Sequence, residues 1–269
     1  MRTKLNLINV EESDIKYKLS RFPDGEVQIE LGELNRKDFV IVYTRICNAE
    51  DLFILMQVGD ILNRQGVQFN LVITYLMGMR NDRVIAFERP FTLSIIAKAI
   101  NSIKPLSVVV LEPHSERTIS EINNCHPFTV YTEEMFTSHL LVFPDQGAAD
   151  RYSDWESPHL ICRKKRDLAT GKLLSFEVTN PTLLMKSNKP LMIIDDLCDG
   201  GGTFCGIASV LRELDPHREI SLAVTHMVNS KGIENTSQYF KEVFFTDSYM
   251  DWSTSELPSN CTQIKCVQS

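Results

Sequence analysis

The sequence predicts an α/β protein made of two similar lobes, each a mainly parallel sheet flanked by helices. Short runs of β-branched and apolar residues alternate with longer stretches of helical periodicity along most of the chain. Such alternation is typical of strand–helix–strand crossovers, which cover both faces of a parallel sheet. About eight strands of this kind recur, which favours two sheets over one very wide sheet. The length of 269 residues is enough for two compact domains.

The first half of the chain contains three apolar runs that predict strands and two stretches that predict helices. Residues Glu50 to Arg64 have apolar side chains at helical spacing, and Gly66 supplies a stop signal. The second predicted helix, Thr92 to Ile103, ends before Pro105. The predicted strands are Phe39–Tyr43, Leu71–Tyr75 and Ser107–Leu111.

The second half repeats the alternation, with a helix from Thr203 to Leu214 that ends at Asp215 and Pro216. We place the boundary between the lobes within residues 126–138, which gives an N-terminal lobe of residues 1–130 and a C-terminal lobe of residues 131–269. Ligands of open α/β sheets gather beyond the carboxyl ends of the strands, so polar residues directly after each strand are the candidates for function. The predicted strands are Leu140–Phe143, Leu191–Ile194, Ile220–Thr225 and Val243–Phe245.

The composition excludes several classes of protein. Lys and Arg total 28 and Asp and Glu total 35, and the net charge of −7 makes the chain a poor candidate for nonspecific duplex binding. No apolar run approaches the ~18–20 residues that span a bilayer, and the N-terminus lacks the apolar region of a signal peptide. The seven cysteines form no CxxC pair, which indicates neither a disulfide framework nor a zinc site. We expect a cytoplasmic protein with reduced thiols and with no nucleic-acid or membrane partner.

The most informative segment is the loop that follows the predicted strand Leu191–Ile194. Asp195, Asp196 and Asp199 precede three glycines, Gly200 to Gly202, and Thr203 then opens a helix. Glycines allow a close backbone approach to an anion, and the N–H groups of a helix N-terminus can hold a phosphate. Carboxylates directly before such a turn are reasonable if they bind ribose hydroxyls, or a Mg²⁺ that the phosphates share.

Simpler interpretations of this loop are less favoured. A strand-end acid pair, a flexible turn and an ordinary capped helix would produce a similar pattern. The loop is not a Walker A motif, because no Gly-Lys-Ser/Thr follows, and it is not GxGxxG. The buried strand and the DDxxD set directly before the glycines favour a phosphate-binding turn.

This loop and five further segments resemble the ribose-phosphate pyrophosphokinases (PRPP synthetases), a branch of the type I phosphoribosyltransferases. The matches follow the family's order from about residue 20 to residue 247, and together they are specific although each alone is weak. They are Arg21–Ile29 (RFPDGEVQI, against RFSDGEVQI in the family), Met79–Arg83 (against ARQDR), Pro90–Ile100 (the PITAK helix), Phe143–Gly147 (SPDxGG) and Ala223–His226 (the ATH strand).

The resemblance implies a fold, a reaction and an assembly. The fold would be two phosphoribosyltransferase-type lobes, with ATP on the N-terminal lobe and the ribose-phosphate loop on the C-terminal lobe. The family's reaction transfers the β,γ-diphosphoryl group of ATP to the anomeric hydroxyl of ribose 5-phosphate and releases AMP, with Mg²⁺ as cofactor. We therefore expect a homo-oligomer, a dimer or a hexamer, with the adenine site at a subunit interface.

The resemblance also implies roles for individual residues. Arg80 and two cations of the flap-like run Arg163–Arg166, Lys164 and Arg166, would stabilise the transferring phosphates. His114 and Asp145 would contact the metal. The implied ATP-binding residues are Phe22, Asp24, Glu26, Arg80, Asn81, Asp82 and His114, and the implied ribose-phosphate-binding residues are Asp195, Asp196, Asp199, Gly200, Gly201, Gly202 and Thr203.

Each of these segments also has a purely structural interpretation. The segment around Phe22 resembles an edge-strand turn with a core phenylalanine, and Arg80–Asp82 resembles a solvated turn. The run Arg163–Arg166 has the composition of a solvated face. A single histidine at the end of a strand, such as His114, is usually structural.

Three departures from the family pattern bear on the acceptor. Gly200 stands where the family has threonine, and Leu111–His114 stands where the family has an Asp-Leu-His segment. The tail after Asp247 is divergent. The lost hydroxyl opens space beside the phosphate, which favours an acceptor that carries a substituent on its 5′-phosphate. Divergent relatives of the family act on ADP-ribose in place of ribose 5-phosphate, so the resemblance also implies ADP-ribose as a second candidate acceptor. Two other classes remain: a base phosphoribosyltransferase that consumes PRPP, and a non-catalytic subunit. The segments around Asp24 and Arg80 argue against the first, and the retained cations and acids argue against the second.

Overall fold

The chain folds into two units, one that extends to Thr129 (unit 1) and one that spans Val130–Cys266 (unit 2). A computed structural model describes residues 2–35, 39–166 and 173–267, with the backbone alone at 165–166 and 173–174. The sheet of unit 1 has five parallel strands in the order in which they occur in the chain. The sheet of unit 2 has five such strands and is extended beyond the first of them by a sixth parallel strand and an antiparallel one. This arrangement agrees with the predicted fold class.

Unit 1 combines a parallel sheet with a separate hairpin. Its elements are β1 (Arg2–Asn6), β2 (Tyr17–Arg21), β3 (Val27–Leu31), β4 (Phe39–Ile46), α1 (Ala49–Gln65), β5 (Gln68–Leu76), α2 (Thr92–Ser102), β6 (Val108–Leu111), α3 (Arg117–Glu121) and β7 (Cys125–Phe128). The sheet has the order β1-β4-β5-β6-β7, and β2 pairs with β3 alone. The two long helices were predicted: α1 extends one residue beyond its prediction at each end, and α2 ends one residue before its predicted end.

Local sequence explains both ends of α1. The Asn48 side chain accepts a hydrogen bond from the Asp51 amide, and the Asp51 side chain accepts one from the Asn48 amide, which forms a capping box. At the other end Gly66 adopts a left-handed conformation with φ of +70°. The helix buries Leu55, Val58 and Leu62 on the sheet. The predicted start and stop signals are confirmed.

Unit 2 repeats the plan with a wider sheet. Its elements are β8 (Leu140–Phe143), α4 (Gln146–Arg151), β9 (His159–Arg166), β10 (Leu173–Val178), α5 (Pro181–Lys186), β11 (Leu191–Cys198), α6 (Gly202–Leu214), β12 (Ile220–Met227), α7 (Ser230–Tyr239), β13 (Val243–Thr246) and β14 (Cys261–Ile264). The order is β10-β9-β8-β11-β12-β13-β14, and the pair β9–β10 is antiparallel.

Alternating residues of the central strands in unit 2 supply two hydrophobic cores. One face, with Ile193 and Leu222, packs against α6 and α7 through Ile207 and Ile233. The other face packs against α4 and the segment before β8, through residues that include Met192, Ile194, Phe143 and Tyr152. Burial on both faces is the reason why these strands read as continuous apolar runs.

Several strands extend beyond their predicted limits, and one of these extensions changes the description of the site. The strand predicted to end at Ile194 continues to Cys198, so Asp195 and Asp196 lie within β11 and not after it. Pairing with β12, from Leu191 opposite Ile220 to Cys198 opposite Met227, overrides the low strand propensity of aspartate. The basic run Arg163–Arg166 forms the second half of β9, a strand that was not predicted.

Two further observations concern the whole described chain. None of its helices is both long enough and apolar enough to cross a membrane. All seven cysteines, which fall within the described residues, carry free thiols.

Candidate functional site

The turn between β11 and α6 in unit 2 forms a cradle lined by backbone groups. Gly201, the N-cap of α6, has φ of +77°, and no side chain caps the helix. A Cβ atom added at Gly200 or at Gly202 would meet no atom within 4 Å, so the space beside both glycines is open. The first N–H groups of α6 are therefore accessible to an anion of the size of a phosphate.

The N-terminal half of α7 holds this cradle in place. The side-chain amide of Asn229 donates to Asp199 Oδ1 (3.2 Å), and the side-chain amide of Asn235 donates to the Gly200 carbonyl (2.8 Å). A Cβ at Gly232 would lie 2.2 Å from the Asp199 carbonyl, so only glycine permits this contact. Sequence reasoning missed α7 and both asparagines. Asn229, as the N-cap of α7, is the one local signal that could have found the helix.

The acid pair lies at the carboxyl end of β11 and is joined by an arginine of α4. Arg151 Nη1 is 3.1 Å from Asp195 Oδ1, and Arg151 Nη2 is 3.2 Å from Asp196 Oδ1. The side chains of Asp195 and Asp196 are 18% and 3% exposed. Asp195 is thus mostly buried but keeps a small exposed surface, whereas Asp196 is almost fully enclosed.

Burial raises the pKa of Asp195 well above its ordinary value, and the neighbouring charge of Asp196 adds to the increase. The Arg151 guanidinium opposes both effects. Asp195 is therefore costly to ionise, and Arg151 is the cation that favours its charged form.

The predicted phosphate-binding cations are only partly described. Lys164 lies on β9, and its Nζ is 4.0 Å from Asp145 Oδ2. Asp145 also caps α4, because its Oδ1 accepts from the Ala148 amide at 3.1 Å. Unit 2 thus brings Lys164 and Asp145 together. The side chain of Arg166 lies outside the described residues.

In unit 1 the segment Arg80–Asp82 lies in the turn after β5. A cavity of about 430 Å³ is lined by Tyr75 and by residues 78–81, so it includes Arg80 and Asn81, which are exposed. Asp82 instead points into the unit with 6% of its surface exposed, and its Oδ1 is 3.3 Å from Arg83 Nε. Burial opposes ionisation, but the nearby Ser115 hydroxyl and the Arg83 guanidinium lower the pKa of Asp82 overall. Arg80 and Asn81 are therefore accessible to a ligand, and Asp82 is not.

The segment around Phe22 is the exposed tip of the β2–β3 hairpin. Phe22 is 47% exposed, and Asp24 and Glu26 are exposed beside it, so the interpretation as a core phenylalanine is wrong. Gly25 closes the turn with φ of +96°. The hairpin is anchored on α1, where the Gln57 side chain accepts from the Ile29 amide and donates to the Val27 carbonyl. The tip presents an aromatic face and two carboxylates outwards.

The two predicted metal contacts lie in different units. His114 is half-buried after β6, and Asp145 begins α4 in unit 2. Two residues before His114, Glu112 is 1% exposed and has φ of +36°, a rare conformation for a residue other than glycine. In the described part of the chain, no group of three or more His, Cys, Asp or Glu side chains is arranged to hold a metal ion.

Comparison with known proteins identifies what this arrangement resembles. The chain is 28% identical over 253 residues to the ribose-phosphate pyrophosphokinase of Pyrococcus abyssi (strain GE5 / Orsay), a match that covers 90% of this chain and 85% of that protein. It is 28% identical over 249 residues to the ribose-phosphate pyrophosphokinase of Helicobacter hepaticus (strain ATCC 51449 / 3B1), covering 87% and 79% of the two chains. No protein-family model matches the chain.

A solved structure supports the fold. The crystal structure of phosphoribosylpyrophosphate synthetase from Mycobacterium smegmatis superposes with a TM-score of 0.78 and 18% sequence identity, covering 95% of this chain and 88% of that one. The resemblance and the two-lobed phosphoribosyltransferase-type fold predicted from the sequence are confirmed.

Proposed function

We propose that this protein is a pyrophosphokinase that transfers the β,γ-diphosphoryl group of ATP to the C1 hydroxyl of a ribose 5-phosphate moiety and releases AMP. The observation that carries the proposal is the glycine-lined N-terminus of α6, uncapped by a side chain, which follows the acid pair of β11 directly. The similarity to ribose-phosphate pyrophosphokinases over nine-tenths of the chain supports a transferase of this type.

In unit 2 the parts of the cradle have complementary chemistry. The backbone N–H groups at Gly201 to Thr203 would bind the 5′-phosphate, because the helix dipole and the free donors favour an anion. Asp195 and Asp199, which are accessible, would accept hydrogen bonds from the ribose hydroxyls. This arrangement fixes the position of C1 relative to the helix.

The diphosphoryl transfer itself needs positioning and charge neutralisation more than covalent chemistry from the protein. The C1 hydroxyl oxygen bonds to the β-phosphorus, the bond from that phosphorus to the α-phosphate oxygen breaks, AMP leaves, and the hydroxyl proton passes to solvent. Lys164 and Arg80 would neutralise charge on the phosphates, with Arg166 in the same role. The exposed tip with Phe22, Asp24 and Glu26 would bind adenine, as the resemblance implies.

The residues fit a Mg²⁺ ion that the phosphates themselves hold. Mg²⁺ keeps several waters and is usually bound through one or two carboxylates plus substrate phosphates, so a cage of protein ligands is not required. Asp145 offers one half-exposed carboxylate, and His114 is the second candidate. When bound, the ion would supply positive charge to the triphosphate.

A second acceptor, ADP-ribose, is favoured by the open space at Gly200. Because a Cβ there meets nothing within 4 Å, the cradle has room for a substituent on the 5′-phosphate. The threonine found in the family at this position would fill part of that space. We therefore propose ADP-ribose as an alternative acceptor for the same chemistry.

The decisive experiment measures AMP formation from Mg·ATP, with ribose 5-phosphate and ADP-ribose as parallel acceptors and mass spectrometry of the products. Asp199→Asn should reduce AMP formation with the active acceptor, and Asp154→Asn, an exposed carboxylate outside the cradle, is the matched control. Turnover with ribose 5-phosphate and none with ADP-ribose would exclude the second acceptor.

The same assay separates the remaining classes. Consumption of PRPP with a base, without AMP formation from ATP, would identify a base phosphoribosyltransferase. If no reaction occurs with any of these substrates, the protein would be identified as a non-catalytic subunit.

A further inference from the structure

Arg151, which neither the sequence motifs nor the comparisons single out, connects the two carboxylates of the acceptor site. It is the last residue of α4, and its side chain is 12% exposed. One guanidinium nitrogen contacts Asp195 Oδ1 and the other contacts Asp196 Oδ1, at 3.1 and 3.2 Å. A single cation therefore sits between two adjacent acids.

These contacts place the Asp195 and Asp196 carboxylates in different surroundings. Asp195 Oδ1 accepts from Arg151 and also from the Asp196 amide at 2.9 Å, so this oxygen is held from two sides. Asp195 keeps 18% of its side chain exposed, and this surface is where a ligand can contact it. Asp196, with a side chain only 3% exposed, has almost no surface to offer. The two acids, predicted as equivalent ligands, are thus unequal in the structure.

The position of Arg151 is set by its helix. Asp145 caps the start of α4 and Ala148 and Ala149 bury its inner face. Directly after Arg151, the ring of Tyr152 stacks on Phe143 of β8, with 5.6 Å between centroids and 13° between planes. Packing at both ends of the helix therefore fixes where the guanidinium lies. Because the Arg151 side chain is mostly buried and its helix is packed at both ends, the guanidinium is pre-organised, and little conformational entropy is lost when a ligand binds beside it.

We propose that Arg151 is a positioning residue that fixes the Asp195 carboxylate for the ribose hydroxyls of the acceptor, and that Asp196 anchors Arg151 instead of contacting the acceptor. The proposal rests on the proposed function for the identity of the acceptor. It assigns Asp195 as the residue that touches the ribose, and Arg151 and Asp196 as residues that act through it. Removing the cation leaves two adjacent carboxylates that repel each other and are no longer aimed.

The test compares four variants in two measurements: the Kd of ribose 5-phosphate by calorimetry, and the KM values for acceptor and ATP with kcat. Arg151→Met should weaken acceptor binding by about 10- to 100-fold, the usual effect of losing hydrogen bonds to a charged group. The KM for ATP should change by less than about twofold. Arg151→Lys retains the charge but not the fork, so its loss should be smaller.

The carboxylate variants separate the two acids. Asp195→Asn should weaken the acceptor at least as much as Arg151→Met, and Asp196→Asn should have a clearly smaller effect. Equal losses from Asp195→Asn and Asp196→Asn would overturn the proposal, as would parallel losses for ATP and acceptor in Arg151→Met. If Arg151→Met does not fold, Arg151→Lys and the asparagine pair decide the outcome.

Direct binding keeps this proposal distinct from the proposed function. Wild-type protein that binds ribose 5-phosphate in the predicted variant order, but forms no AMP, would refute the pyrophosphokinase activity and support the role of Arg151. If the wild-type protein forms AMP and the Arg151→Met variant has an unchanged acceptor KM, the pyrophosphokinase activity is supported and the role of Arg151 is refuted. Wild-type protein that neither binds the acceptor nor forms AMP would refute both.

Discussion

In both units the second strand of the parallel series turns directly into a long helix, β4 into α1 and β11 into α6. In unit 1 the helix N-terminus is occupied by its own side chains, through the capping box of Asn48 and Asp51. In unit 2 Gly201 stands at the N-cap and Phe204 stands at the position that corresponds to Asp51, and no side chain caps the helix. The N–H groups at the start of the helix are therefore hydrogen-bonded by a side chain of the protein in unit 1, whereas in unit 2 no side chain caps them and a ligand can bind there. The difference shows that a helix N-terminus becomes a binding site when the chain withholds its own cap.

The largest expected effect comes from giving the cradle an anion of its own. Gly202→Asp places a carboxylate at the first position of α6, where a Cβ meets nothing within 4 Å. We expect AMP formation to fall about 100-fold, because the new charge opposes the phosphate and competes for its donors. The melting temperature should not fall, since an acid in the first turn favours the helix. The matched control is Ala49→Asp at the first position of α1, which should retain activity; a similar loss there would contradict the comparison.

A smaller effect is expected from backbone strain at the cradle. Gly201→Ala forces φ of +77° on a residue with a Cβ and brings that atom 2.9 Å from Thr236 Cγ2. We expect the free energy of unfolding to fall by about 1 kcal/mol or more, and AMP formation to fall about 10-fold, as the donors shift. Gly66→Ala has a similar φ of +70° with no atom within 4 Å. Urea denaturation should show a stability loss in both variants, and the activity loss in Gly201→Ala alone.

The two units should also differ in how a buried carboxylate affects stability with pH. The raised pKa of Asp195 means that its ionisation destabilises the fold, so stability is lost as pH rises from the unfolded value, about 3.9, through the raised folded value. The lowered pKa of Asp82 has the opposite sign, and its contribution is lost as pH falls through the folded value. Near pH 7, Asp195→Asn should therefore raise the melting temperature and Asp82→Asn should lower it. Melting curves recorded from pH 7 downwards should show both differences shrinking, and the same sign for both variants would refute the pKa assignment.

The smallest expected effect concerns the self-capped helix of unit 1. Asn48→Ala removes the hydrogen bond to the Asp51 amide, with a Asn48 Oδ1 to Asp51 N distance of 3.0 Å, and should lower the free energy of unfolding by about 1 kcal/mol. Asn48→Ser, which can still cap, should lose less. Urea midpoints measure the change, and kcat should stay the same. A large activity loss would show that this turn has a role beyond its structure.

Much of the fold could be predicted because several helices and strands carry strong signals in their own sequence, and the structure contains them where those signals lie. The helix of residues 49–65 carries its own cap, apolar stripe and terminal glycine. Elements whose signal is weak were missed: β10 and β14 are short edge strands, and α7 has few apolar residues on its buried face. β11 was cut short at Ile194, since aspartates disfavour strands and only pairing with β12 carries the strand onward.

The candidate site divides along the same line. The amino-acid sequence by itself determined the alternation of the central strands with the long helices, the loop Asp195–Thr203 and the family resemblance, because spacing and residue type along the chain encode them. Only the tertiary structure decided that Asp196 and Asp82 are enclosed, that Arg151 bridges the acids and that Asn229 and Asn235 hold the loop. These features join residues about 30 to 45 positions apart. Periodicity and propensity describe neighbours along the chain, whereas burial and charge pairing arise only when distant elements pack together.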